Sequence, residues 1–347
     1  MSGLTFGVRV PNSGPLATIE NVVRAAKEAE ALGFDAIWVH DHVVWSSEMH
    51  RHHISSGAVH ALEDDQTATF FESLTTLSYL AAETERVKLG VACLVMPTRN
   101  PIYAAKQAAT LDHLSKGRLL LGVGLGSKAT QSSSEFDVFQ VNWRRRAPLT
   151  DEHIDAMRAV WTQPLASFHG PTIRFEDAEI WPKPLQDPLP VWIGGWTDHA
   201  ARRAGLRGDG WVPGWLSPAE MAKGRDVLRD AAAGAGRDPD AITIAVEKLT
   251  AIHTDRDQAL EWALPTVRQS SMTYERDVDD IQFALDRHIF GSVDDVRRRV
   301  EEFAESGVQH FELKFMYPTL DDLLFQMELW AETILAEFGA KATAVTA

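Results

Sequence analysis

A regular alternation of short apolar runs with longer amphipathic segments constrains this chain more than any other feature. The alternation continues along nearly the whole length, without a meander of strands or an array of helices, which is typical of a parallel sheet covered by helices. Eight runs predict strands, and eight strands with covering helices favour a closed (β/α)8 barrel, the TIM barrel, over an open doubly wound sheet. The predicted strands are Leu4–Val10, Ala36–Val39, Val87–Val95, Arg118–Val123, Leu189–Ile193, Gly210–Pro213, Ile242–Leu249 and His310–Phe315.

Helical periodicity fills the intervals between these strands. Ser292, followed by Asp295, predicts a capping-box start for the helix nearest the C-terminus. The predicted helices are Ile19–Leu32, Phe71–Glu83, Pro101–Leu114, Pro148–Trp161, Ala219–Ala233 and Val293–Glu305.

A single barrel domain is predicted over residues 1–338, with segments of irregular spacing inserted in it. Residues 46–69 are polar and His-rich, and a loop of that length is typical of a lid or a binding element. Residues 167–188 predict a hairpin followed by a Pro-rich turn, and residues 261–289 predict a second insertion. The terminal segment 339–347 is small and polar, and we expect it to be disordered.

Charge and composition exclude several classes of partner. A formal charge of −15 opposes the basic surface that DNA or RNA binding needs, and it also opposes an anionic membrane surface. No run of about 18 apolar residues predicts a transmembrane helix. Cys93 is the only cysteine, and no basic, apolar leader precedes the first strand, so we expect a cytoplasmic protein without an internal disulfide.

Three titratable residues, His40, Asp41 and His42, directly follow the second predicted strand. Reactive side chains of a (β/α)8 barrel lie at the C-terminal ends of its strands. Imidazole titrates near neutral pH, so His42 is a candidate general acid or base, with Asp41 either orienting it or accepting hydrogen bonds from a ligand. For His40, hydrogen bonding to loop backbone is favoured. His-x-His also suits a divalent metal, with further imidazoles at 50–53 and His60, although no carboxylate partner is placed by the sequence.

Glycines end the fourth predicted strand at Gly122, Gly124 and Gly126. Their spacing is not that of the dinucleotide-binding Gly-x-Gly-x-x-Gly, and no immediate apolar helix follows. The residues alone leave open whether these glycines serve turn geometry or the close approach of a flat ligand.

A second pair, Gly194 and Gly195, ends the fifth predicted strand just before a helix that begins near Thr197. Free N–H groups at a helix start beside glycines form a phosphate cradle. An ordinary strand-to-helix turn is the alternative interpretation of this pattern.

Four blocks in this order resemble the bacterial luciferase-like superfamily of flavin and deazaflavin oxidoreductases. The resemblance covers most of the chain to about Pro213 and is closer to the branch that uses coenzyme F420 than to the FMN monooxygenases. It implies a (β/α)8 barrel with the cofactor ring over the C-terminal ends of the strands. The blocks read DAIWVHDHVVW, RVKLGVACLVMPTRNPIYAAKQAATLDHLSKGRLLLGVGLGS, HIDAMRAVWTQ and PLPVWIGGWTDHAARRAGLRGDGWVP.

The resemblance also implies roles for individual residues. His42 matches the histidine that faces the reactive ring and is the implied catalytic residue. Ser127 and Lys128 stand where some F420 dehydrogenases have a catalytic glutamate, and Trp45 lies near, but not at, the position of a ring-covering aromatic. The implied cofactor-binding residues are Asp41, the Ala92-Cys93 pair at the place of a non-prolyl cis peptide, Gly124, and the phosphate-holding Gly194, Gly195, Trp196 and Thr197.

The predicted activity is F420-dependent hydride transfer to or from a small hydrophobic organic substrate, with His42 moving a proton. The candidate pocket residues are Trp45, Phe71, Ser127 and Trp215, with Trp196 and Trp211 as further aromatic candidates, although tryptophans at such spacing serve equally well as core. The main alternative is an FMNH2-dependent monooxygenase that needs oxygen and a partner flavin reductase. A non-catalytic flavin-binding barrel and a metal-dependent hydrolase are further alternatives. By analogy with the superfamily, we expect a homodimer.

Overall fold

Eight parallel strands close into a barrel, which confirms the predicted (β/α)8 architecture. A computed structural model describes residues 3–45, 69–126, 135–274 and 280–340. The ring runs β11-β1-β2-β3-β4-β7-β8-β9, and β9 closes it by pairing with both β8 and β11. The strands of this ring are β1 Thr5–Arg9, β2 Ala36–Val39, β3 Lys88–Val95, β4 Leu119–Gly124, β7 Val191–Gly194, β8 Gly210–Val212, β9 Thr243–Ile252 and β11 His310–Phe315.

Three further strands lie outside the ring. β5 (Ala166–His169) and β6 (Arg174–Ala178) form the predicted antiparallel hairpin. A parallel strand that was not predicted, β10 (Ile289–Gly291), pairs with the C-terminal end of β9. Its three residues are too few to show a period, and they overlap the end of the predicted insertion.

The six predicted helices all form, and each begins and ends within two residues of its predicted bounds. Ser292 and Asp295 form the predicted capping box, with both reciprocal hydrogen bonds present. The second helix begins at Ser73 rather than Phe71, because the Glu72 side chain caps it by accepting from the Thr75 amide. The helices are α1 Ile19–Ala31, α2 Ser73–Glu83, α3 Pro101–Leu114, α4 Glu135–Val138, α5 Arg146–Thr162, α6 Asp198–Arg207, α7 Pro218–Gly234, α8 Arg256–Tyr274, α9 Asp280–Leu285, α10 Val293–Glu305, α11 Leu320–Trp330 and α12 Ala336–Phe338.

The irregular segments differ in how much of them the structure describes. Nearly all of the 46–69 segment lies outside the described residues. The 261–289 segment holds most of α8, all of α9 and the first residue of β10. The prediction of a disordered tail needs a correction at its start, because Gly339 bridges to Leu4 and the Ala340 amide donates to the Leu4 carbonyl at 3.1 Å. Residues 341–347 lie outside the described residues.

Tryptophans fill the N-terminal half of the barrel interior. Trp38 on β2 lies 5.5 Å from Trp192 on β7, measured between ring centroids, and its Nε1 donates to His310 Nε2 at 3.2 Å. Burial lowers the pKa of His310 to about 3, so this ring is neutral and accepts the bond. Glycines on neighbouring strands make room for the indoles, because a Cβ at Gly90 would come within 2.2 Å of the Trp38 ring.

Two other glycines also make room for the tryptophan rings. A Cβ at Gly7 would lie 2.4 Å from Trp38, and one at Gly210 would lie 2.7 Å from Trp192. The remaining core packs between the barrel and its helices and includes Phe6, Val8, Phe311, Phe303 and Trp330. Above the tryptophans, the C-terminal ends of the strands surround a mouth. None of the described helices is long and apolar enough to cross a bilayer.

Candidate active site

A histidine and a glutamate form an ion-pair contact just beyond the end of β2. His42 Nδ1 lies 3.0 Å from Glu135 Oε2, and the other carboxylate oxygen accepts the Val43 amide at 2.6 Å and the Val44 amide at 3.3 Å. Burial disfavours ionisation of Glu135, but the His42 bond and charge, followed by the two amides, outweigh it and lower the pKa of this carboxyl. Glu135 is therefore a carboxylate that holds both the ring and the backbone of this segment.

Two aromatic rings complete the surroundings of the imidazole. Trp45 stacks on His42 with 4.9 Å between ring centroids and 31° between planes. Phe70 presents its edge to His42 at 5.6 Å and contacts Trp45 at the same separation. The His42 side chain keeps 15% of its surface exposed. The imidazole is thus oriented on several sides while retaining access to the mouth.

The neighbouring Asp41 ties β2 to the next strand. Its Oδ1 accepts from Ser73 Oγ at 2.8 Å and from Arg99 Nη2 at 2.5 Å, and its Oδ2 accepts from the Val95 amide at 2.8 Å. Only 3% of Asp41 is exposed. This carboxylate therefore holds the end of β2 to the end of β3. Its contact with a cofactor stays a prediction.

His40 points to a different set of partners from His42. Its amide donates to Asn12 Oδ1 and its carbonyl accepts from Asn12 Nδ2, both at 3.0 Å, and its Nδ1 lies 2.9 Å from Arg9 Nη1. In these contacts the His40 ring meets the Arg9 guanidinium, whereas the bonds to Asn12 come from the His40 backbone, so hydrogen bonding of the ring to loop backbone stays a prediction. Among the residues that the structure describes, no group of three or more histidine, cysteine or carboxylate side chains could hold a metal ion. The imidazoles at 50–53 and at 60 lie outside the described residues.

A bulge at the end of β3 carries the predicted cis peptide. The Ala92-Cys93 bond is cis, and the β3–β4 register shifts between Val91 and Leu94. A Cβ at Gly194 would lie 2.3 Å from Cys93 Sγ, and one at Gly124 would lie 3.0 Å from Cys93 Cβ. Both glycines therefore make room for Cys93, a steric reason that the sequence patterns did not reveal.

Helix α6 begins shortly after Gly194, the last residue of β7. Gly195 has a φ of +110°, which favours glycine, and the Thr197 side chain caps the helix by accepting from the Ala200 amide at 3.3 Å. Trp196 is 45% exposed. Trp211, considered above as a pocket aromatic, is instead core and donates through Nε1 to the Gly195 carbonyl at 3.0 Å.

The structure does not place all of the remaining predicted pocket residues beside His42. Phe71 packs partly buried against the main core and bonds through its backbone to Asn12. Trp215 packs edge-on against His288 at 4.5 Å, in a satellite core beneath α8 and α9. Ser127 lies outside the described residues.

The residues of the mouth fit a flat cofactor with an anionic tail. Gly124 and Gly194 beside the Cys93 bulge leave one side of the mouth without large side chains. At the start of α6, Thr197 caps the Ala200 amide, so the helix-start donors open to an anion are those of the exposed Asp198 and His199. An imidazole held by a buried carboxylate faces the same mouth. Gly194, Gly195, Trp196 and Thr197 are accordingly the residues that would hold a phosphate.

Sequence reasoning missed three residues of this site. Glu135 follows a stretch with no strand or helix period, Arg99 reads as a loop cation, and Phe70 borders the His-rich segment. Their roles depend on tertiary contacts with His42 and Asp41, and no local pattern in the chain reports such contacts.

Comparison with known proteins gives one family. The family model described as luciferase-like monooxygenase matches residues 3–310. An uncharacterised protein of Mycobacterium tuberculosis is 32% identical over 244 residues, which cover 69% of this chain and 82% of that protein. The F420-dependent glucose-6-phosphate dehydrogenase of Kineococcus radiotolerans is 26% identical, with 89% of this chain and 90% of that protein covered.

Solved structures share the whole fold. An F420-dependent secondary alcohol dehydrogenase in complex with an F420-acetone adduct superposes with a TM-score of 0.78 at 21% identity and covers 97% of this chain and 99% of its own. Monooxygenase RslO1 from Streptomyces bottropensis has a TM-score of 0.76 at 22% identity, with 96% and 99% covered. The chain therefore belongs to the luciferase-like monooxygenase family and is an oxidoreductase of that class.

Proposed function

We propose that this protein is a coenzyme F420-dependent oxidoreductase that moves a hydride to or from a small hydrophobic organic substrate. The observation that carries the proposal is the His42–Glu135 pair at the barrel mouth, with Trp45 stacked on the imidazole. Two similar proteins, one similar in sequence and one in fold, are F420-dependent dehydrogenases, which supports the same choice of cofactor.

The chain's own contribution is binding, orientation and proton transfer. A bound deazaflavin supplies the hydride chemistry. Glu135, as a carboxylate, accepts from Nδ1–H of His42 and so directs acid–base exchange to Nε2. Trp45 and Phe70 fix the plane of the imidazole, and they line the mouth with the apolar surface that a hydrophobic substrate needs.

Parallel binding titrations with F420 and with FMN, followed by fluorescence, test the choice of cofactor. We expect F420 to bind much more tightly than FMN. A preference for FMN would overturn the proposal and favour an oxygen-dependent monooxygenase with a partner reductase, a possibility that the fold shared with RslO1 keeps relevant. Binding of neither cofactor would equally contradict it.

A further inference from the structure

A group of charged side chains lies inside the barrel, nearer the mouth than the tryptophan layer. Barrel interiors are usually packed with branched apolar residues, so charges at this place require a reason. On β11, alternate residues share the inward face of His310, which places Glu312 and Lys314 inside the barrel. Arg9 at the end of β1 and Glu247 on β9 contact this group.

One guanidinium serves two carboxyl groups in this cluster. Arg9 Nη2 donates closely to Glu312 Oε1 and lies 3.4 Å from Glu247 Oε2, and its Nη1 lies 3.4 Å from Glu247 Oε1. Among the described residues, the second oxygen of Glu312, Oε2, has no hydrogen-bond partner although the side chain is fully buried. Arg9 therefore leaves one carboxyl oxygen of Glu312 uncompensated.

That geometry favours the neutral form of Glu312. A buried carboxylate with an unpartnered oxygen, next to a second carboxylate, costs more free energy than a buried carboxylic acid. Burial raises the pKa of Glu312 to about 8, with Arg9 opposing the shift, Glu247 adding to it and Lys314 opposing it again. Burial and the neighbouring Glu247 thus favour the protonated form of Glu312, against the opposing charge of Arg9.

Other titratable groups face the pair from neighbouring strands. His40 on β2 contacts Arg9, and burial together with both carboxyl groups raises the pKa of the Cys93 thiol on β3. Burial lowers the pKa of Lys314 to about 7. These groups surround Glu312 without supplying a partner for its Oε2.

Exposure differs between the two carboxyl groups. The Glu312 side chain is fully buried, whereas that of Glu247 retains 22% of its surface. Both bind the same nitrogen of Arg9, so they lie side by side. A proton held by Glu312 thus has a neighbouring acceptor that reaches the mouth.

We propose that Glu312 and Glu247 form a second acid–base site on the floor of the mouth, in which Glu312 stores a proton and Glu247 exchanges it with the bound substrate. The inference rests on the proposed function for its substrate chemistry. In a carbonyl reduction, the O–H bond of Glu312 breaks as that of Glu247 forms, and the O–H bond of Glu247 breaks as that of the product alcohol forms, while the bound reduced deazaflavin would supply the hydride. Solvent then returns a proton to Glu312 through Glu247, the exposed member of the pair.

Infrared spectroscopy of the protein without cofactor tests the stored proton. We expect a carboxylic acid band at pH 7 that disappears with a midpoint near pH 8 and is absent from Glu312→Gln. Glu247→Gln should lower that midpoint, because the charge that disfavours ionisation of Glu312 is removed. It should also slow deuteration of the band after dilution into D2O, because the exposed exchange partner is lost.

A matched control and a second readout keep the test decisive. Glu176→Gln on the exposed hairpin strand β6 should leave the band, its midpoint and its deuteration rate unchanged. If Glu312→Gln does not fold, the midpoint and deuteration rate of Glu247→Gln decide alone. Absence of the band at pH 7, its persistence in Glu312→Gln, or an unchanged midpoint in Glu247→Gln would overturn the stored proton.

Proton delivery through Glu247 is tested separately from the choice of cofactor. Failure of F420 to bind would remove the proposed function but would leave the infrared result standing. Where F420 binds and a substrate has been found, Glu247→Gln should lower kcat and leave the dissociation constant for F420 unchanged. An unchanged kcat would overturn delivery through Glu247.

Discussion

At the level of single residues, the proposed mechanism uses the contact between His42 and Glu135 to leave Nε2 as the imidazole nitrogen that exchanges a proton. His42→Ala should reduce turnover by roughly a hundredfold to ten-thousandfold, the usual contribution of a positioned acid or base. Affinity for F420 should change little, because the expected binding contacts lie at the start of α6 and at Gly124 and Gly194. Steady-state kinetics and a fluorescence titration measure the two effects.

His169→Ala is the matched control for this substitution. His169 lies on the exposed hairpin strand β5, and its ring contacts Glu176. Its replacement should leave both turnover and affinity unchanged. Normal turnover in His42→Ala would remove His42 from the mechanism.

Glu135 should also make stability depend on acid pH. Its pKa is lower in the folded protein than the ordinary value of 4.5, so its contribution is complete above pH 4.5 and is lost as pH falls through the lowered value. Glu135→Gln should therefore be less stable than the wild type at neutral pH, and the difference should shrink on acidification. Thermal unfolding of both proteins between pH 3 and 7 measures this, and a pH-independent difference would contradict the charge argument.

At the level of elements, the Cys93 bulge of β3 fits against the ends of β4 and β7 through the missing side chains of Gly124 and Gly194. Gly194→Ala should destabilise the fold by about 1–3 kcal/mol, because its Cβ overlaps Cys93 Sγ. Cys93→Ala removes that sulfur, and the remaining Cβ separation of 3.4 Å is an ordinary contact.

A double-mutant cycle measures this coupling by chemical denaturation. The double variant Cys93→Ala with Gly194→Ala should regain most of the stability that Gly194→Ala loses. Additive losses in the cycle would show that the two positions do not compete for the same space.

The elements of the fold were largely predictable, whereas the contacts of the site were not. The alternation of apolar runs with amphipathic helical segments continues through every strand of the ring. Helices α3 and α10 begin and end at the predicted residues. His42 was found because a titratable residue directly follows a buried strand. Glu135 was missed because it is 93 positions away in the chain, and only the closed barrel brings the two together.

At the level of the whole molecule, an exposed apolar groove runs between α3 and the segment after β6. Tyr103 is 74% exposed and Trp181 is 53% exposed. Ile102 and Ile180 lie beside them, and two charged side chains, Lys106 and Glu179, also line the groove. Isolated exposed apolar residues are normal, but a groove lined by several of them is typical of an interaction surface. We propose that the homodimer expected from the family resemblance forms through this groove.

Light scattering coupled to size-exclusion chromatography tests the assembly. The wild-type protein should elute as a dimer, and Tyr103→Glu should shift it towards the monomer because a carboxylate would be buried without a partner. Leu206→Glu, on the exposed face of α6, is the control and should remain dimeric. A monomeric wild type, or an unaffected Tyr103→Glu dimer, would contradict this surface.

The tryptophan layer has a consequence for how such a barrel diverges during evolution. Side chains at positions 7 and 90 would occupy the volume that Trp38 fills, and one at position 210 would occupy that of Trp192. A larger residue at one of these glycines is therefore compatible with folding only if the tryptophan on the neighbouring strand is replaced by a smaller residue. The lower half of the barrel must change by compensated pairs of substitutions, whereas the exposed residues around its mouth are free to vary singly as new substrates are selected.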